Sequence, residues 1–269
     1  MYNSKKRIAV VGCGSIGTEI AKSIDSGYIN GVITGIFDSD SDAAKSLSAG
    51  LDSKPEILDL EKLAEISDII VEAASVNAIE PLVEICIKKS IDLIIMSVGG
   101  LKEEHFKAFE ASESNLYIPS GAIGGIDSIL AYSACNIDSI SLTTKKPPKG
   151  LEGAPYLVNN NISIENLQEA KVVFEGTPWD AIKAFPKNIN VSTTLSLASR
   201  CGSKLKVKVI ADPFVTVNTH EIELKSDDGN VFARFENKPS TNNPKTSGLA
   251  YLSAIATLKK ITSRVKIGT

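Results

Sequence analysis

Three glycines and one carboxylate have the spacing of a nucleotide-binding loop. Gly12, Gly14 and Gly17 form Gly-x-Gly-x-x-Gly, and Asp38 lies 21 positions after the last of them. In such a loop Gly12 permits a tight turn, Gly14 lets backbone approach a pyrophosphate, and Gly17 lets a helix pack closely on the preceding strand. With Ser15 and Ile16 these residues open a helix, whose N–H groups attract anionic phosphate. Alone the pattern is weak, because glycine loops also serve as plain strand-to-helix turns. The context strengthens it: the β-branched run from Arg7 leads into the loop, and Ile16, Ile20 and Ile24 follow at helical spacing. A second strand, Val32 to Phe37, ends at Asp38, where a carboxylate can accept hydrogen bonds from ribose hydroxyls. Such a carboxylate repels a 2′-phosphate, and no Arg or Lys follows before Lys45, so NAD is expected over NADP. Asp38 could instead cap the next helix, a task open equally to Ser39 or Asp40.

Histidines and cysteines offer fewer possibilities. Cys13, Cys86, Cys135 and Cys201 are widely spaced with no Cys-x-x-Cys pair, so neither zinc nor a disulfide framework is expected. Cys86 and Cys135 fall in apolar helical patterns as small buried thiols, and Cys13 holds a variable position of the glycine loop. His105, among Glu103 and Glu104, reads as a surface or half-buried helix residue. His220 lies in a strand pattern from Val215 to Lys225, alternating with Phe214, Thr216, Asn218, Ile222 and Leu224. That face turns from polar to apolar, as in a strand running from a cleft into a core. By pattern alone a lone histidine there is most often a satisfied core or surface residue.

The elements that must position these residues follow an α/β plan. Continuous apolar runs at 67–74 and 92–98 read as strands buried on both faces, as parallel sheets require. Ligands bind beyond the carboxyl ends of such strands, which places Ala74 near the dinucleotide. Helices are expected at 77–88 and 102–111, and a last strand at 115–119. The glycine-rich crossing at 120–125 then leads to the helix 126–135. From Ile137 the pattern changes to alternating strands of antiparallel style, with a polar loop through Asn161. Strands are expected at 172–175, 205–211, 215–225 and 231–237, and helices at 179–185, 191–199 and 245–264. Asn190 could simply cap the helix that follows it. The fold expected is a Rossmann-type doubly wound parallel sheet with a second α+β domain: residues 1–121 bind the dinucleotide, and residues 122–244 form the second domain.

Composition excludes several classes. Net charge is −3, pI is near 5.6, and the 29 basic residues are scattered, so there is no nucleic-acid footprint. No apolar stretch reaches the roughly 18 residues a membrane span needs. The polar N-terminus runs straight into the first strand and leaves no room for a secretory signal, so a soluble cytoplasmic protein is expected.

The chain resembles the L-aspartate dehydrogenase family, which oxidises aspartate to iminoaspartate with a nicotinamide cofactor. The likeness is carried by Val11–Gly17, Pro119–Asp127, Thr144–Pro148, Phe174–Gly176, Asn188–Ala198, Asp212-Pro213 and Asn218–Ile222, in this order along the chain. It implies that His220 is the catalytic residue and that Ala122 and Asn190 contact the nicotinamide end of NAD (NADP is possible). It also implies a homodimer in which residues 122–244 form the catalytic and dimerisation domain, a C-terminal helix within 245–269 that packs back on the nucleotide domain, and a role in supplying iminoaspartate for NAD synthesis; by the residue spacing above, no metal is expected. Lys145 stands where the family pattern leads us to expect arginine. A dicarboxylate substrate demands cationic or hydroxyl partners, for which Lys145, Lys146, Thr193 and Thr194 are available without being placed by the sequence. Alternatives are a dihydrodipicolinate-reductase-like or homoserine-dehydrogenase-like oxidoreductase, against which the Asn218–Ile222 and Asn190 segments argue, and a non-catalytic NAD-binding sensor.

Overall fold

A computed structural model describes residues 5–185, 190–240 and 243–268. Among these, the residues up to Pro119 together with Ala250–Ile267 form one compact unit, and those from Ser120 to Leu249 form another.

The first unit runs β1 (Lys6–Val11), α1 (Ser15–Asp25), β2 (Gly31–Phe37), α2 (Ser41–Ala49), α3 (Leu60–Ile66), β3 (Ile69–Glu72), α4 (Ile79–Lys89), β4 (Asp92–Ile95), α5 (Glu103–Glu110) and β5 (Leu116–Tyr117). The five strands pair in parallel, in the order β2-β1-β3-β4-β5. Alternate residues of each strand enter different cores. Ile8, Val10, Ile69, Val71 and Ile94 pack with Ile20 and Ile24 of α1, whereas Ala9, Val11, Ile70, Leu93 and Ile95 pack with Leu63 of α3 and Leu82 of α4. Burial of both faces is why these strands read as unbroken apolar runs.

The second unit contains α6 (Ile126–Tyr132), β6 (Ile137–Lys146), α7 (Pro155–Asn159), β7 (Lys171–Gly176), α8 (Pro178–Ala184), α9 (Asn190–Ser199), β8 (Leu205–Ala211), β9 (Asn218–Ser226), β10 (Gly229–Asn237), β11 (Pro239–Ser240) and β12 (Asn243–Ser247). Its main sheet has the order β10-β9-β6-β8-β7. The chain closes with α10 (Gly248–Thr262), whose Ala254, Ile255 and Leu258 join the α1 side of the first unit's core.

Four expectations change. The second sheet is mixed, because β6 pairs antiparallel with β9 but parallel with β8 through a helical crossover. Strand β9 starts at Asn218, not Val215: Asp212 Oδ1 accepts the Phe214 N–H at 2.9 Å, a side-chain turn that leaves Phe214 75% exposed. The loop expected through Asn161 contains a 3₁₀ turn at Pro148–Leu151 and α7, each opened by proline and anchored by buried Leu151 and Leu157. His105 is buried, not at the surface. It lies four residues before buried Phe109, its Nδ1 accepts the Lys102 N–H (3.2 Å), and its Nε2 faces Glu80 (3.2 Å). The cysteines are free, with Cys135 half-buried just beyond α6.

Candidate active site

In the first unit the glycine loop is built as a cradle. Gly12 has φ of +99°, and a Cβ there would meet the Ala73 carbonyl carbon at 2.5 Å and the Ala74 nitrogen at 2.6 Å. A Cβ on Gly17 would collide with the Gly12 carbonyl oxygen, so only glycine lets α1 seat against the end of β1. Gly14 is exposed, with open space where its Cβ would be. No side chain caps α1, and no acidic residue occupies the turn that Ser15, Ile16 and Gly17 begin. A concave backbone and an uncapped helix start fit a pyrophosphate.

Asp38 is anchored beside this loop. Its Oδ2 accepts the Cys13 N–H at 2.6 Å and its Oδ1 the Asp40 N–H at 2.9 Å. Asp40, not Asp38, caps α2, accepting the Asp42 and Ala43 N–H groups. The Asp38 carboxylate is thereby fixed at the carboxyl end of β2 with further lone pairs to offer. Cys13 is inert: burial, and then the Asp38 charge, push its thiol up to about 12. Ala74 is exposed just past β3, and its N–H donates to Glu72 at 2.8 Å. The structure thus brings Gly12, Gly14, Ser15, Ile16, Gly17, Asp38 and Ala74 together at the carboxyl ends of β1, β2 and β3.

In the second unit one row of the sheet carries the polar residues. His220 of β9 is directly opposite Thr144 of β6, which in turn is opposite Val209 of β8. The Thr144 Oγ1 lies 3.0 Å from His220 Nδ1, and both side chains are buried. Along β6 the inward positions are Ile140, Leu142, Thr144 and Lys146, so the buried Lys146 shares the His220 face. A small cavity is lined by Leu142, Thr144, Lys146, Ser192 and Val209. Burial, and secondarily the Lys146 charge, depress the His220 imidazole to about 3, while burial lowers Lys146 to about 8. Both causes favour the neutral imidazole of His220. Where Nδ1–H donates to the Thr144 hydroxyl oxygen, Nε2 keeps a lone pair that can accept a proton.

Ala122 is half-buried, and its carbonyl accepts the Asn237 Nδ2 amide at 2.7 Å. Asn237 pairs with Asn218, two residues before His220. Asn190 is exposed and is the first residue of α9 rather than a cap before it. Asn188 and Ile189, which share its motif, lie outside the described residues. Lys145 points to the opposite face, where it pairs with Glu221 at 3.0 Å. Sequence reasoning left Lys146 unplaced and did not consider Thr144 alone or Glu72. The alternation of Ile140, Leu142, Thr144 and Lys146 is the signal that could have placed the first two.

Comparison with known proteins agrees with both halves. Residues 12–119 match the model of the homoserine dehydrogenase NAD-binding domain, and residues 127–261 match that of the aspartate dehydrogenase C-terminal region. An L-aspartate dehydrogenase of Methanosarcina acetivorans is 44% identical over 98% of this chain and 99% of its own. One from Nitrosopumilus maritimus is 42% identical over 98% of this chain and its own full length. The crystal structure of aspartate dehydrogenase from Thermotoga maritima superposes with a TM-score of 0.76 at 26% identity, covering 98% of this chain and 99% of that one. A similarity this high, spanning glycine loop and His220 strand alike, means that the chain belongs to the L-aspartate dehydrogenase family.

Proposed function

We propose that this protein oxidises L-aspartate to iminoaspartate, which hydrolyses to oxaloacetate and ammonia, and that it does so with NAD, or less readily NADP, to supply NAD biosynthesis. The observation that carries the reading is the buried His220–Thr144 pair beside Lys146, in a chain over 40% identical to L-aspartate dehydrogenases along its whole length.

In this reading the first unit holds the dinucleotide. The N–H groups at the start of α1 take the pyrophosphate over Gly12, Gly14, Ser15, Ile16 and Gly17. Asp38 takes the adenosine ribose and disfavours a 2′-phosphate. Ala74 lies near the dinucleotide, and by the family resemblance Ala122 and Asn190 contact its nicotinamide end. Held there, a nicotinamide cofactor would supply the acceptor for the hydride that leaves the substrate Cα.

The chain's own residues handle protons and charge. An imine forms only when the amino nitrogen has a lone pair, so the substrate ammonium must first lose a proton. His220 is the acceptor, with Thr144 fixing its tautomer and ring. Lys146 takes a substrate carboxylate. That anion also offsets the Lys146 charge, one cause of the depressed His220 basicity, so substrate binding itself makes the imidazole a better base. The second unit is the catalytic and dimerisation domain of a cytoplasmic homodimer. None of the described helices is long and apolar enough to cross a membrane.

The test is initial-rate NADH formation from a panel of L-amino acids, repeated with NADP. Turnover of L-aspartate alone, faster with NAD, supports the assignment. Binding of NADH without turnover of any amino acid sinks it.

A further inference from the structure

Glu72 ends β3 and is 0% exposed. Its Oε1 accepts the Ala74 N–H (2.8 Å) and the Ser97 hydroxyl (2.7 Å), and its Oε2 accepts the N–H groups of Met96 (3.1 Å) and Ser97 (2.9 Å). Four uncharged donors from the ends of two adjacent strands therefore converge on one carboxylate. Burial pushes the Glu72 carboxyl up, and these four bonds oppose that shift. An ionised carboxylate is the one side chain of this size that accepts on both of its terminal atoms. Glutamine would turn an NH₂ group toward one side: the Ser97 hydroxyl can reverse and accept from it, but a backbone N–H cannot, so at least one buried donor is left unsatisfied.

One of the segments held in this way, Ala73–Ala74, lies directly against the glycine loop. Ala73 donates its N–H to the Val11 carbonyl at 2.7 Å, and the Ala73–Ala74 peptide is what a Cβ on Gly12 would strike. On the other side, Ser97 opens the 3₁₀ turn at Val98–Gly100. That turn fits closely against the segment after β3: a Cβ on Gly100 would come within 3.1 Å of the Val76 Cα. Glu72 is thus bonded to both the turn after β3, which meets Gly12, and the turn after β4.

We propose that Glu72 is a positioning residue for the dinucleotide: its carboxylate ties the turn after β3 to the turn after β4 and so sets the floor against which the glycine loop holds the cofactor. This rests on the reading that the first unit binds NAD(P). Glu72 touches no reacting atom in this account and acts through Ala74 and Ser97.

The experiment is fluorescence titration of NADH into the full chain and its Glu72→Gln variant, alongside thermal unfolding and steady-state kinetics. We expect NADH affinity to fall roughly tenfold, the cost of disordering about one buried hydrogen bond, with KM for NAD rising in step. At saturating NAD, kcat and KM for L-aspartate should stay within about threefold of the parent. A lower melting temperature with unchanged NADH affinity overturns the proposal, because a merely structural carboxylate behaves in that way. If Glu72→Gln does not fold, Ser97→Ala decides. It removes one of the four donors and should weaken NADH binding by roughly threefold, and an unchanged affinity there also overturns the proposal. An unmodified chain that fails to bind NADH overturns the dinucleotide reading itself, whereas normal binding by chain and variant alike removes only the role of Glu72.

Discussion

In the proposed chemistry His220 owes its place to being held neutral. Its position on the inner face of β9 removes it from water, and Lys146 adds a repulsive charge, and both favour the neutral imidazole over the cation. Replacement His220→Ala should leave NADH affinity nearly intact and reduce turnover by roughly 10²- to 10⁴-fold, the usual contribution of a positioned acid–base group. Titration of NADH and kcat for the same preparation check this, and a loss below tenfold removes His220 from its role. Lys146 makes the opposite trade. A lysine lowered from 10.5 to about 8 by burial costs roughly 3 kcal/mol of stability while it stays charged at neutral pH. Lys146→Met should therefore raise the stability of the fold and, if Lys146 takes a substrate carboxylate, raise KM for L-aspartate by roughly 10- to 100-fold. Urea unfolding and aspartate kinetics at pH 7.5 test both signs. A variant that is stabilised with unchanged KM would show that Lys146 is not a substrate contact.

At the scale of elements, the glycine loop is where sequence and structure agree most closely, because its requirements are steric and local. Gly12→Ala places a Cβ at positive φ and 2.5 Å from the Ala73 carbonyl, so neither relaxation of the side chain nor of the loop relieves it. Loss of NADH binding and destabilisation by a few kcal/mol are expected, measurable by titration and by unfolding. The same locality explains what was legible: Gly12, Gly17 and the double-sided apolar strands announce themselves by type and spacing. His105 was misplaced because charged neighbours on a helix say little about the one residue turned inward toward Phe109. The start of β9 was placed too early because alternation from Phe214 mimics a strand, whereas the Asp212 side chain satisfies the Phe214 N–H and forces a turn. Glu72 escaped notice because three of its four donors are backbone N–H groups, two of them and the Ser97 hydroxyl 24 or 25 residues on, and such a convergence has no sequence signature. Lys146 could have been found by continuing the β6 alternation two residues past Thr144. What fixed its significance, the juxtaposition with His220 across β6 and β9, is a matter of register between strands 76 residues apart.

For the molecule as a whole, the two units have separate hydrophobic cores and carry different linkages. Dinucleotide binding belongs, in our reading, to the first, and the titration of His220 belongs to the second. His220 is depressed from 6.5 to about 3 in the fold, so between those values the unfolded chain binds more protons than the folded one. Its contribution is fully present above pH 6.5 and is lost as pH falls toward 3, amounting to roughly 2 kcal/mol between pH 7.5 and pH 5. NADH at a hundred times its dissociation constant stabilises the unit that binds it by about 2.7 kcal/mol. Trp179 is the single tryptophan and lies on α8, whose Ala181 and Ala184 pack into the second unit's core, so its emission follows that unit. Urea unfolding should then show two transitions. The Trp179 transition should move to lower urea between pH 7.5 and pH 5, less so in His220→Gln, and should respond to NADH less than the first unit does, because in our reading only Ala122 and Asn190 of the second unit touch the cofactor. A second transition, seen by circular dichroism, should move to higher urea with NADH. A single transition shifted equally by proton and by NADH would mean that the units unfold as one body, and an acid shift as large in His220→Gln as in the parent would mean that another group carries it.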